Sequence, residues 1–263
     1  MGRLIDESDL EGTPAAVVHN ADGNGQVLLV CEHASNRIPA ALDNLGLDEA
    51  TRLSHVAWDP GALAVAQEIS QILDARLVAS TVSRLVYDCN RPPEAPGAMP
   101  ERSEVFDIPG NRNLSNAEKA ARVATVYEPF RTLLAETIAT SPTPPVLVTI
   151  HSFTPVYLGK QRDVEIGILH DSDTRLADAM LDLAPKHTEL NARRNDPYGP
   201  EDGVTHTLKL HALPNGLMNV MIEVRNDLIA TADQQRAVGK MLAELIADAL
   251  TLIANNKEAQ CHA

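Results

Sequence analysis

The stretch Val27-Leu28-Leu29-Val30-Cys31-Glu32-His33 decides the fold class, because a continuous apolar run passes directly into ionisable residues. Such a short apolar run is typical of a strand that is buried on both faces of a parallel sheet. The same transition recurs at residues 146–150, which precede His151, and a third apolar run, residues 218–224, contains Glu223. Open α/β sheets place their ligand sites at the carboxyl ends of strands. The sequence therefore predicts an α/β protein with a site at one edge of its sheet.

Short strand-like runs alternate with longer amphipathic stretches along the rest of the chain. This alternation is typical of a three-layer α/β fold, in which helices cover both faces of a mainly parallel or mixed central sheet. A crossover helix is predicted after Pro60-Gly61, and capping boxes at 115–118 and 231–234 predict the starts of two more helices. The candidate strands are 26–31, 76–80, 84–88, 146–150, 165–169 and 218–224.

The length of 263 residues favours a single catalytic domain over 1–263. Within it, residues 1–24 and the tail 256–263 are expected to be peripheral. Two long irregular stretches, 90–114 and 187–204, are expected to be functional loops that line or close the mouth of the site.

The formal net charge of −14 opposes binding to nucleic acid or anionic lipid, so a small-molecule partner is expected. No apolar run is long enough for a membrane helix, and the first residues lack the order of a secretory signal. We therefore expect a soluble cytoplasmic protein. Cys31, Cys89 and Cys261 are far apart and odd in number, which favours reduced thiols over a disulfide framework.

His33 and His151 both follow buried strands, and carboxylates lie near them in the sequence. Two imidazoles and a carboxylate are typical ligands of a catalytic Zn²⁺ site, although another divalent ion is possible. A single histidine is more often a hydrogen-bonded core residue, but two at strand ends favour the metal site.

Glu223 lies inside an apolar strand, where a buried carboxylate needs a metal, a water molecule or a cation. It is either a general base with a raised pKa or the structural partner of Arg225, which lies two residues on along the same face. After the candidate strand 84–88, Arg91 can bind a substrate carboxylate, with Asn90 as a further donor. Alternatively, Asp88 and Arg91 pair within the loop.

Five segments in this order resemble the N-formylglutamate amidohydrolase family over roughly residues 25–250. They are CEHASNRIP at 31–39, HVAWDPGA at 55–62, SRLVYDCNRPP at 83–93, HSF at 151–153 and IEVRN at 222–226. The resemblance implies a fold like that of phosphorylases and zinc carboxypeptidases. It also implies a zinc-dependent amidohydrolase in which metal-activated water attacks an amide or formamide carbonyl.

The resemblance implies that His33 and His151 are metal ligands. Zinc carboxypeptidases take another ligand from a glutamate three residues after the first histidine, but this position is Asn36 here. Asp59 is the preferred replacement and Glu32 the alternative. Glu32 otherwise supports the adjacent His33 from outside the metal site.

By the same resemblance, Asn90 and Arg91 hold the substrate's carboxylate, and Arg84 is a second cation. Glu223 transfers the proton from water to the leaving amine, and Arg225 supports substrate binding. The expected substrate is an N-acyl amino acid such as N-formyl-L-glutamate. Two alternatives are a deacylase or carboxypeptidase-like hydrolase for another N-acyl amino acid or short peptide, and a non-catalytic protein that binds an acidic ligand.

Overall fold

A seven-stranded mixed sheet runs through the protein, whose computed structural model describes residues 4–261. The sheet order is β1-β3-β2-β6-β11-β9-β10, and two separate hairpins pair β4 with β5 and β7 with β8. The strands are β1 (Ala16–His19), β2 (Val27–Cys31), β3 (Arg76–Ser80), β4 (Arg102–Ser103), β5 (Phe106–Asp107), β6 (Val146–Phe153), β7 (Val156–Tyr157), β8 (Lys160–Gln161), β9 (Ile166–Leu169), β10 (Ala192–Arg194) and β11 (Asn219–Arg225).

The four central strands β3, β2, β6 and β11 are parallel, whereas β1 and β9 run antiparallel to their inner neighbours. Strands β2, β6 and β9 are buried along their whole length, which is why their sequences are almost continuously apolar. The parallel register of β6 and β11 pairs His151 with Glu223. Two of the predicted site residues are therefore neighbours across the sheet.

Helices cover both faces of the sheet, which confirms the predicted three-layer α/β fold. Helices α2, α5 and α6 pack together on one face, and α4 contacts β1 and β3 on the other. The helices are α1 (Glu49–Leu53), α2 (Ala62–Ile72), α3 (Asn116–Arg122), α4 (Glu128–Ala139), α5 (Arg175–His187) and α6 (Ala232–Cys261).

The predicted helix starts are confirmed in atomic detail. Ser115 and Glu118 form a reciprocal capping box before α3, and Thr231 and Gln234 do the same before α6. A π-helical segment, Val123–Tyr127, joins α3 to α4, so the helix predicted to start at 115–118 continues to Ala139.

The strand predicted at 84–88 is wrong, because this segment forms buried turns. Ser83 folds the chain back by accepting the backbone N–H of Val86, and Arg84 donates its own N–H to the carbonyl of Ala57. Leu85 and Val86 are fully buried without being in a sheet. Burial, and not strand pairing, explains the apolar run.

Both terminal segments that were expected to be peripheral contribute regular structure. Residues 16–19 form edge strand β1, and α6 extends to Cys261, whereas residues 1–3 and 262–263 lie outside the described part. Cys31 and Cys89 are buried free thiols, as expected, and the side chain of Cys261 also lies outside the described residues. Within residues 4–261, no helix has both the length and the apolar character needed to cross a bilayer.

Candidate active site

A cavity of about 410 Å³ opens at the carboxyl ends of β2, β6 and β11. Residues from both irregular stretches line it: Asn90, Arg91 and 102–104 from the first, and Tyr198, Asp202 and Val204 from the second. The predicted residues that line it are His33, Asp59, Arg84, Asn90, Arg91, His151 and Glu223.

Three buried side chains converge at the base of this cavity. His33 Nδ1 lies 3.2 Å from Asp59 Oδ2, His151 Nδ1 lies 2.9 Å from the same oxygen, and the two Nδ1 atoms are 3.2 Å apart. Tetrahedral ligands about 2.0–2.1 Å from a zinc ion are about 3.3 Å from one another. The three atoms therefore have the spacing of ligands around one small cation. Of the two candidates for the ligand beside the histidines, Asp59 has this position.

The outer nitrogen of each histidine faces another carboxylate. His33 Nε2 is 2.7 Å from Asp88 Oδ1, and His151 Nε2 is 3.1 Å from Glu32 Oε2. The first contact is a hydrogen bond, whereas the second has an ion-pair distance without hydrogen-bond alignment. Carboxylates in these positions favour a proton on Nε2 and leave the Nδ1 lone pairs pointing inward, as in carboxylate–histidine–metal triads.

The electrostatic balance of the cluster also favours a cation. Burial acts to lower the pKa of His151, but Glu32 and Asp59 raise it well above its usual value. Burial likewise acts to raise the pKa of Asp59, yet His33 and other neighbours hold it below its usual range. Protonation of both imidazoles would bring two N–H groups together at the 3.2 Å Nδ1 separation. A metal ion among these three atoms would supply the positive charge without that repulsion.

Glu223 lies beside this cluster on β11, paired in register with His151. Its carboxyl group is buried, and its Oε2 has no hydrogen-bond partner among the described residues. Burial raises the pKa of Glu223 to about 7, and the negative charge of Asp59 acts in the same direction. A carboxylate with a pKa near neutrality is suited to accept and return a proton.

Arg84 bridges the carboxylates of Asp59 and Asp88. Its guanidinium donates to Asp59 Oδ1 at 3.2 Å and to Asp88 Oδ2 at 2.9 Å. Asp88 thus contacts His33 and Arg84, and its carboxylate does not pair with Arg91 in the way considered from the sequence alone. Arg91, the other arginine in the cavity wall that was predicted from the sequence, instead donates to the carbonyl of Asp202 at 2.7 Å.

Asn90 joins the two loops that form the cavity wall. Its side-chain amide donates to the carbonyl of Val204 at 2.5 Å and accepts the backbone N–H of Thr207 at 3.0 Å. Both the nitrogen and the oxygen of the Asn90 amide are therefore used in hydrogen bonds within the cavity wall.

Three other predicted residues, Arg225, Asn36 and Glu32, do not line the cavity. Arg225 points out of the cavity, where its guanidinium pairs with Glu165 and Asp227 and not with Glu223. Asn36 is half-buried and does not line the cavity. Glu32 supports His151 from behind, whereas the sequence favoured contact with its neighbour His33.

The structure adds site residues that the sequence analysis did not select. They include Asp88 as the partner of His33, the pair His55–Glu104 with a 2.7 Å contact at the mouth, and Tyr198 in the cavity wall. Asp88 and Arg91 both follow the apolar residues 85–87. The position of Asp88 directly after this run could therefore have identified it as a site residue. The pairing of His55 with Glu104 depends on the fold of two loops and leaves no periodic signal in the sequence.

Comparisons with known proteins bear on the family and the fold. A family model described as N-formylglutamate amidohydrolase matches residues 25–230. The gene product Atu2144 from Agrobacterium tumefaciens has a similar crystal structure, with 56% identity and a TM-score of 0.91 over 96% of this chain and 100% of its own. N-formylglutamate amidohydrolase from Ralstonia eutropha JMP134 is similar in fold alone, with 18% identity and a TM-score of 0.60 over 94% of this chain and 100% of its own. The chain has no significant match among curated proteins.

Proposed function

Because the chain belongs to the N-formylglutamate amidohydrolase family, we propose that it hydrolyses the amide bond of an N-acyl amino acid such as N-formyl-L-glutamate. The proposed cofactor is one Zn²⁺, or another divalent ion, held by His33, Asp59 and His151. One observation carries the proposal: the inward Nδ1 atoms of two histidines and one Asp59 oxygen converge beside the buried carboxyl group of Glu223.

The metal, when bound, polarises the acyl carbonyl and increases the acidity of water. Glu223 then acts as the general base, taking a proton from the attacking water molecule and returning it to the nitrogen of the leaving amine. Asp88 and Glu32 keep the two imidazoles oriented while this proton moves.

Arg91 is the proposed anchor for a substrate carboxylate, because it lines the cavity and one of its Nη atoms bonds only a backbone carbonyl. Arg84 contributes positive charge to the same wall, although its two Nη atoms are engaged by Asp59 and Asp88. Asn90 acts by fixing the wall through Val204 and Thr207. Arg225 has no part in the proposed mechanism, because its guanidinium lies outside the cavity.

The test combines metal analysis with a formate-release assay on N-formyl-L-glutamate. We expect near-stoichiometric zinc in the wild type and in Glu223→Gln, and loss of zinc in His151→Ala. Glu223→Gln is expected to lower kcat by roughly 10²–10⁴-fold, because it removes the proton carrier and keeps the metal ligands. Glu244→Gln, an exposed change on α6, is the matched control for loss of one carboxylate.

The results distinguish the proposed function from its alternatives. Zinc with turnover of another N-acyl amino acid, and none of N-formyl-L-glutamate, would replace the proposed substrate and keep the mechanism. An acidic ligand that binds without turnover, with Glu223→Gln no different from wild type, would identify a binding protein. A fully active protein without any divalent ion would overturn the metal mechanism.

A further inference from the structure

Tyr198 lines the cavity, and the proposed mechanism leaves its phenol without a role. Tyr198 belongs to the irregular stretch 187–204 and lines the same cavity as Glu223 and Arg84. The segment that precedes it also approaches the base, because the carbonyl of Asp196 and the Cβ of Glu223 both pack against Gly167 on β9.

Arg162 contacts Tyr198 and is itself held by two other aromatic rings and a backbone carbonyl. The Arg162 guanidinium carbon lies 4.6 Å from the ring centre of Tyr157, 5.0 Å from that of Tyr198 and 5.4 Å from that of Phe153. Arg162 Nη1 also donates to the carbonyl of Thr154 at 3.2 Å. Arg162 does not line the cavity itself, so it acts on the cavity through its aromatic neighbours.

The direction of one hydrogen bond determines what Tyr198 offers to the cavity. Arg162 Nη2 donates to the phenol oxygen of Tyr198 at 2.9 Å. A guanidinium has no acceptor, so the phenol's own proton cannot be used in this bond. Within residues 4–261 no side chain or carbonyl accepts that proton, which leaves it available to a ligand in the cavity that Tyr198 lines.

The charge around the phenol favours this donor role. Burial and the nearby carboxylate of Glu223 raise the pKa of Tyr198 to about 12, so the group is a neutral donor at physiological pH. The cationic Arg162 behind the oxygen polarises the O–H bond and strengthens a hydrogen bond to an anion.

We propose that Tyr198 is a catalytic residue that donates a hydrogen bond to the acyl oxygen of the substrate as negative charge develops there. Arg162 is its positioning residue, because it contacts the phenol and not the reacting atoms. The inference rests on the proposed hydrolytic function. A preformed donor directed at a developing oxyanion stabilises the transition state more than the bound substrate.

The first test is Tyr198→Phe, which keeps the ring on Arg162 and removes only the hydroxyl. With N-formyl-L-glutamate and N-acetyl-L-glutamate as substrates, we expect kcat to fall by about 10²–10³-fold. KM, inhibition by L-glutamate and zinc content should stay close to their wild-type values. Tyr127→Phe is the matched control, because Tyr127 is a buried phenol that bonds His206 away from the cavity.

The second test is a double-mutant cycle with Arg162→Gln. If Arg162 acts through the Tyr198 hydroxyl, Arg162→Gln lowers kcat in the wild type and has little further effect in Tyr198→Phe. A purely structural arginine would instead lower kcat by the same factor in both backgrounds and would lower thermal stability in parallel.

The outcomes separate this inference from the function on which it rests. An active wild type with an equally active Tyr198→Phe overturns the role of Tyr198 and leaves the proposed hydrolysis standing. A rise in KM at constant kcat would also overturn it, since that change indicates a contact made equally in the ground state. A wild type that is inactive on both substrates, and on a panel of other N-acyl amino acids, overturns the proposed function and the inference with it.

Discussion

Burial, together with the nearby carboxylate of Asp59, raises the pKa of Glu223 to about 7, which places its titration near physiological pH. A general base must be ionised to act, so kcat/KM should rise as pH increases through the pKa of Glu223. That pKa is about 7 with no metal bound, and a divalent cation nearby favours the carboxylate and lowers it. We therefore expect the acidic limb of kcat/KM at or below about pH 7.

The pH profile between about 5 and 9 checks this prediction, with Glu223→Gln as the comparison. The residual activity of Glu223→Gln should lack the acidic limb. An unchanged limb in this variant would assign the titration to another group. Activity that falls as pH rises through neutrality would exclude Glu223 as the base.

Residues at strand ends were the predictable part of the site. His33, His151 and Glu223 could be selected because ionisable side chains interrupt or follow buried apolar runs. Tyr198 and Arg162 could not be selected in the same way, since their roles depend on contacts between two irregular segments. Arg225 illustrates the opposite error: its sequence distance from Glu223 suggested a pair, but loop partners on the outer surface bind it.

Strand β9 meets the segment before Tyr198 at Gly167, where there is no space for a side chain. A Cβ at this position would lie 2.4 Å from the carbonyl oxygen of Asp196, 2.7 Å from Leu169 and 3.1 Å from the Cβ of Glu223. Gly167→Ala is therefore expected to destabilise the fold by about 1–3 kcal/mol through overpacking. It should also lower kcat, because relief of the contact moves Glu223 or the Tyr198 segment.

Chemical denaturation and steady-state kinetics of Gly167→Ala measure the two effects. Gly97→Ala is the control, because its added Cβ would meet, among the described residues, Arg91 Nε at an ordinary 3.8 Å. A Gly167→Ala protein with wild-type stability and kcat would show that β9 and the loop can separate without disturbing the base.

At the level of whole elements, periodicity located most of the central sheet but not its order. The runs at 26–31, 76–80, 146–150 and 218–224 correspond to β2, β3, β6 and β11, because strands buried on both faces are almost continuously apolar. The same reasoning failed at 84–88, where burial occurs without strand pairing. The antiparallel placement of β9 beside β11 depends on long-range pairing that local sequence does not encode.

For the molecule as a whole, metal binding and stability should be linked. The proposed ligands converge only in the folded state, so the metal stabilises that state by RT ln(1 + [L]/Kd), about 2.7 kcal/mol at a free metal concentration of 100 Kd. Removal of the metal should lower Tm by about 5–10 °C in a chain of this size. Calorimetry with and without a chelator, followed by Zn²⁺ addition, measures the shift.

His151→Ala is the control for this shift, because it lacks one ligand and should melt at the same temperature in chelator and in Zn²⁺. A wild-type Tm that does not respond to chelator, after zinc loss is verified by elemental analysis, would contradict the link between the site and folding.

The position of β11 between β6 and β9 has a consequence for biosynthesis. Both neighbours precede β11 in the sequence, so they leave the ribosome before the strand that must separate them. Until β11 is inserted, the nascent chain presents the open edge of β6, a buried apolar strand that is a template for intermolecular pairing. Because β11 also carries Glu223, the last central strand to be translated both covers this aggregation-prone edge and completes the proposed active site.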